Sequence, residues 1–130
     1  MTAEQALADL TEISSQVEAA VLFDADGRVA ASTLESPDDF VRAVRGLLEA
    51  AGGTRQGPPS QLEAATAAGS VFVVGDGQRY IAATTPPEPT VALVFYDLKT
   101  ALRAAGAAPA KKRSGRKRAP KREEAGDDEA

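Results

Sequence analysis

The sequence predicts an α+β domain: a five-stranded antiparallel sheet with helices on both faces, in the order α-β-β-α-β-β-β-α. Three observations predict it. Ala19 to Ser32, AAVLFDADGRVAAS, reads as a β-hairpin around Asp26-Gly27. Residues Ser36 to Ala51 carry apolar side chains at helical spacing behind a strong helix start. Residues 61–85 break into short β-rich runs separated by turn residues.

Each element has a local reason. Residues 2–15 form the first helix: Thr2 and Gln5 make a T-x-x-Q capping box, and Leu7, Leu10, Ile13 and Val17 give one apolar stripe. In the hairpin, Val21 and Phe23 fall on one face and Ala20 and Leu22 on the other, so the strand is buried on both sides. The Asp-Gly pair predicts a two-residue turn, because glycine takes positive φ without a Cβ penalty. Val29, Ala30 and Ala31 are small enough for close packing. Ser36 is expected as N-cap, Pro37 as first helical residue, and Asp38 and Asp39 face the positive end of the dipole. Phe40, Val41, Val44, Leu47 and Leu48 make the main stripe of this second helix; Ala43, Gly46 and Ala50 make a smaller one. Gly46 costs up to ~1 kcal/mol against alanine, which close approach of another backbone would offset. Gly52-Gly53 ends the helix and residues 54–59 are loop. Strands are expected at Leu62–Ala67, Ser70–Val74 and Arg79–Thr84, with Pro86 to Pro89 breaking the pattern. VALVFY alone favours a strand, but Val91, Val94, Phe95, Leu98 and Leu102 hold helical period too long for one, so Thr90–Ala105 is read as helix closed by Gly106.

Composition limits function. The 130 residues include no cysteine, histidine or tryptophan. Disulfides, thiolate metal sites and His-based catalysis are thereby absent, which weighs against an enzyme. No signal-like N-terminus or membrane-length apolar run is present, so a soluble cytoplasmic protein is expected, and the alanine-rich composition suggests a bacterial one. Residues 1–105 carry a net charge of −7 and residues 106–130 one of +3. The expected organisation is a folded domain over 1–105 with a disordered basic, then acidic, tail over 106–130. A body of that size buries only ~65% of its unfolded surface, and pairing would help it.

AVLFDADGRVAAS, the helix after it, and SVFVVGDGQRYIAATT with its proline-rich exit resemble the roadblock/LC7 domain, over roughly residues 3–105. The resemblance implies a roadblock/longin/profilin-like sheet. It also implies a non-catalytic homodimer that binds and regulates a small Ras-like GTPase. In the family the second helix and third strand form the dimer interface, the sheet runs on across both subunits, and the first and last helices lie on the opposite face. Carried over, the interface would use Phe40, Val41, Ala43, Val44, Leu47, Leu48 and Ala50 of the helix, with Leu62, Ala64 and Thr66 of the edge strand. The basic tail is outside the family pattern.

Other motifs have plainer readings. The Phe40–Leu48 stripe is open to three readings: core, dimer seam or partner groove. Asp24 and Asp26 are two carboxylates where calcium wants six to eight oxygens, so they are read as turn residues and no metal site is assigned. Gly75-Asp76-Gly77 lacks the lysine and helix of a phosphate loop, so no nucleotide or other cofactor is assigned. Arg42, Arg45, Arg55 and Arg79 raise an arginine finger, against the simpler reading of solvated side chains. No catalytic residue is assigned. An alternative function is a ligand-sensing domain, for which Tyr80, Thr84 and Tyr96 are the polar candidates. Another assigns function to the tail. There Lys111, Lys112, Arg113, Arg116, Lys117, Arg118, Lys121 and Arg122 would bind nucleic acid or anionic lipid without specificity, since no aromatic is interleaved. A solubilising tail, or one folded back on the acidic body, are its other readings.

Overall fold

The computed structural model describes residues 2–53 and 59–107. The tail cations Lys111 to Arg122, Arg55 and most of the 54–59 loop lie outside the described residues. The elements are α1 (Ala3–Ile13), β1 (Ala19–Asp24), β2 (Val29–Ser32), α2 (Asp38–Gly52), β3 (Gln61–Thr66), β4 (Gly69–Gly75), β5 (Arg79–Thr85) and α3 (Val91–Ala107). The five strands form one sheet in the order β2-β1-β5-β4-β3, and every neighbouring pair is antiparallel. Element order and class are those the sequence predicts.

Strand alternation divides the core in two. Ala20, Leu22, Phe72, Ile81 and Ala83 face α1 and α3, where Leu7, Leu10, Val94, Leu98 and Leu102 close over them. Val21, Phe23, Val73, Tyr80 and Ala82 face the other way and take Val41, Val44 and Leu48 of α2. Phe72 meets Phe95 edge-on at 5.0 Å, and Phe23 stacks on Tyr80 at 5.6 Å. The side chains of β1 from Ala20 to Phe23 therefore serve both layers, as the hairpin pattern predicts.

Several local expectations are corrected. The capping box at Thr2 forms, with Gln5 N–H donating to Thr2 Oγ1 and Thr2 N–H to Gln5 Oε1. The helix behind it stops at Ile13, and that side chain is 72% exposed rather than in the stripe. The β1–β2 turn is longer than two residues. Gly27 N–H donates to the Asp24 carbonyl and Asp24 N–H to the Arg28 carbonyl, leaving three residues between the pair, with Gly27 at φ +90°. A bulge follows, since Leu22 faces Ala31 while Phe23 faces Val29. Because β2 is the sheet edge, only its Ala31 is buried; Val29 and Ala30 are exposed.

Ser36 does not cap α2. Pro37 holds the N-cap in αR geometry, no side chain caps, and the first bond runs from Val41 N–H to the Pro37 carbonyl. Asp38 and Asp39 do occupy the first turn. Gly53 closes the helix in αR rather than left-handed geometry. Helix α3 passes through Gly106 to Ala107, and its Val91 is 38% exposed rather than packed. Its start is tied down by Gln16, whose Oε1 accepts from Thr90 N–H at 2.6 Å.

Candidate interaction surface

The surface is built from the outer flank of α2 and the free edge of β3. The helix stripe divides. Val41, Val44 and Leu48 are buried against the chain's own sheet, and Phe40 is half-buried beside them. Ala43, Gly46, Leu47 and Ala50 turn outward; Leu47 is 38% exposed. A Cβ placed on Gly46 would meet no atom within 4 Å. Nothing within the described chain therefore requires glycine there.

Strand β3 is the last in the sheet and pairs only with β4. Its Leu62 packs against the same cluster as α2, Ala64 is half-buried and Thr66 is exposed. Gln61 lies opposite Val74, so Ser60 lies opposite Gly75, whose N–H donates to the Ser60 carbonyl at 2.9 Å. That makes 60–75 a bonded pair. By alternation Leu62, Ala64 and Thr66 turn their backbone groups to β4, while Gln61, Glu63 and Ala65 turn theirs outward. Natural edges are blunted by shortness, bulges, lysine or proline. Edge β2 is short and bulged. Edge β3 runs six residues with one charge, no lysine and no proline.

The two hairpin tips lie side by side, with Ala25 N–H donating to the Gln78 carbonyl at 3.0 Å. Each tip is held by an aspartate. Asp24 Oδ1 accepts from the N–H groups of Asp26 and Arg28, and Asp76 Oδ1 from those of Gln78 and Arg79. The Arg28 N–H, helped by the Asp26 N–H and the Arg28 charge, holds the Asp24 carboxyl below its ordinary value against the desolvation that raises it. At Asp76 burial pushes the carboxyl up, but the Arg79 and Gln78 N–H groups outweigh it and the pKa falls. Each acid thus spends its Oδ1 on turn geometry, Asp24 Oδ2 pairs with the Arg28 guanidinium at 3.3 Å, and Gly75-Asp76-Gly77 opens onto β5 rather than a helix.

Arg42 pairs with Asp39 at 2.8 Å between two exposed side chains. The Arg45 guanidinium donates to the Ala25 carbonyl. Both border a cleft of about 530 Å³ with Phe23 and Tyr80. Arg79 lies apart from them, half-buried at the start of β5. Tyr80, Thr84 and Tyr96 do not converge: Tyr80 is buried in the α2 layer, Thr84 is half-buried, and Tyr96 is 67% exposed on α3.

Sequence reasoning passed over a groove between α1 and α3, lined by Leu10, Ile13, Tyr96, Thr100 and the carboxylates of Asp9 and Asp97. Its signal was present: Asp97 interrupts the apolar run of α3 one position before Leu98. Among the described residues no helix is long and apolar enough to cross a membrane.

No family sequence model and no curated protein matches the chain. Solved structures do. The chain is similar to the Roadblock/LC7 domain from Streptomyces avermitilis, with TM-score 0.71 and 19% identity, covering 85% of this chain and 100% of that one. It is similar to the gliding protein MglB from Thermus thermophilus, with TM-score 0.65 and 17% identity, covering 78% and 83%. LokiProfilin2, solved in complex with rabbit actin, matches with TM-score 0.58 and 12% identity, covering 79% and 95%. These likenesses show the fold, and the chain folds as a roadblock/LC7 domain does.

Proposed function

We propose that residues 1–105 form a non-catalytic, homodimeric binding module that docks on a small Ras-like GTPase and regulates it, with residues 106–130 as an appendage. The observation that carries the reading is the unprotected edge of β3 on the same sheet as the exposed Ala43–Gly46–Leu47–Ala50 flank of α2. A second copy related by a twofold axis would pair β3 with β3 and cover α2 with α2, extending the sheet and removing the open edge. The roadblock/LC7 fold and the likeness to MglB support a GTPase regulator.

Two features support a role without chemistry. The chain lacks histidine and cysteine. Among the described residues, each hydrogen bond that a hydroxyl donates ends on a backbone carbonyl.

The test is binding to purified Ras-like GTPases loaded with GDP or with a non-hydrolysable GTP analogue. The reading expects one GTPase whose affinity differs about tenfold or more between the two states, a coupling of ~1.4 kcal/mol. Equal affinity in both states, or no binding across the set, overturns it.

A further inference from the structure

We propose that the basic segment Lys111–Arg118 docks in the groove between α1 and α3 of its own chain, with Asp97 and Asp9 as its anionic seats. This inference stands independently of the GTPase reading.

The groove encloses about 320 Å³ and is short of a cation. Asp97 is only 9% exposed, yet among the described residues no hydrogen bond or ion pair reaches its carboxylate. A carboxylate held in an apolar wall without a partner is unfavourable. Every charged residue of α1 is acidic: Glu4, Asp9 and Glu12. No basic residue lines the groove; the α3 cations Lys99 and Arg103 line a different cleft with Val74 and Asp76. At the groove's rim Ile13 and Tyr96 are 72% and 67% exposed, two large apolar side chains left in water.

The chain supplies the complement nearby. Eight of its 15 Lys and Arg residues lie between Lys111 and Arg122. Helix α3 ends at Ala107, ten residues beyond Asp97, which is ~15 Å along the axis. The groove runs along α3 from Ala104 past Thr100 to Tyr96, so its near end adjoins the point where the tail leaves. An extended chain covers ~3.3 Å per residue. About five residues past Ala107, folded back, bring Lys111, Lys112 and Arg113 level with Asp97. Their methylene stems would lie on Ile13 and Tyr96 while the charged heads reach the carboxylates. Arginine over the Tyr96 ring adds a cation–π contact.

Tethering decides between this chain and another. A short linker gives an effective concentration of ~1 mM, so a segment with an untethered Kd near 1 mM is docked about half the time. A free second copy at micromolar concentration cannot match that. A docked tail hides both the apolar rim and the tail's own charge. Nucleic acid or anionic lipid would then have to displace Asp97 and Asp9 to reach the arm.

The absence of cysteine provides a clean test. Ser114→Cys in the full chain takes a single nitroxide, and NMR reads the broadening of each amide. Docking broadens Ile13, Tyr96 and Thr100 well above the β3 amides Gln61 to Thr66 in dilute salt. The excess disappears at ~1 M salt, where the Debye length is ~3 Å. It also falls severalfold in Asp9→Asn with Asp97→Asn. A tail variant, Lys111→Glu with Lys112→Glu and Arg113→Glu, leaves the body untouched and gives the same loss. Broadening spread evenly over the surface, or confined to the last turn of α3, overturns the proposal. So does broadening that survives the triple-glutamate tail, or that requires a labelled second copy.

Discussion

A pair of prolines in β3, one residue apart, separates the fold from the assembly. Ala65 turns its N–H away from β4, whereas Ala64 turns its N–H toward the Val71 carbonyl opposite. Ala65→Pro therefore removes no bond within the chain, and edge strands accept proline at such positions. In a twofold dimer each copy offers three outward residues, Gln61, Glu63 and Ala65, and the substitution deletes one donor from each copy. At ~1 kcal/mol net per hydrogen bond, two lost bonds weaken the dimer by ~2 kcal/mol, about 30-fold in Kd. Ala64→Pro instead breaks a β4 bond and strands the Val71 carbonyl, costing the folded chain ~2 kcal/mol or more. Sedimentation equilibrium gives the first quantity and urea unfolding, repeated at several protein concentrations, the second. The reasoning fails if Ala65→Pro folds normally yet keeps the parental Kd, or if the two prolines destabilise the chain equally.

Three further outcomes follow from the same geometry. Gly46→Ala adds a Cβ that meets nothing in its own chain, so in an Ala65→Pro background urea unfolding should show a gain of up to ~1 kcal/mol, while in the parent it should weaken self-association. Gly69 stands at φ +151° with the Thr85 carbonyl where a Cβ would go, whereas the Cβ of Gly27→Ala meets only the movable end of Arg45; Gly69→Ala should lower the urea midpoint more than Gly27→Ala. The Asp24 and Asp76 carboxyls sit below their ordinary value of 3.8, so the unfolded chain binds these protons more readily than the folded one. Their contribution is complete above about pH 4 and is lost as pH falls through the lower folded-state values, and Asp76→Asn should flatten that acid limb in thermal melts.

Features decided by local chemistry were legible in the sequence. The Thr2–Gln5 box forms because two side chains three residues apart can satisfy each other's N–H groups whatever surrounds them. Alternation in AAVLFD assigns Ala20 and Leu22 to one layer and Val21 and Phe23 to the other, because pleating is a property of the strand. Sustained helical period settled α3 against the strand propensity of VALVFY. Features decided by neighbours were not legible. Val29 and Ala30 look like core but lie on an edge, and edge status depends on strand order. Ile13 continues the α1 stripe in sequence, but the helix ends there and the side chain passes beyond the sheet's cover. Ser36 is a good cap one residue out of step, because Pro37 takes the N-cap position itself. The division of the α2 stripe matters most for the candidate surface. Spacing placed Val44 and Leu47 together, but only packing shows that Val44 faces its own sheet and Leu47 faces out. Aspartate at Val44 would disrupt the fold, so Leu47 is the informative site.

Multi-angle light scattering on the parent and on Leu47→Asp therefore bears most directly on whether a second copy covers α2 and β3. At about 10 μM the parent should have twice the 13.4 kDa chain mass, and Leu47→Asp should fall to a single chain that still melts cooperatively, at a temperature lower than the parent's and independent of concentration because the stabilisation by pairing is gone. A parent that scatters as one chain, or a Leu47→Asp variant that stays at twice the chain mass, would contradict the account.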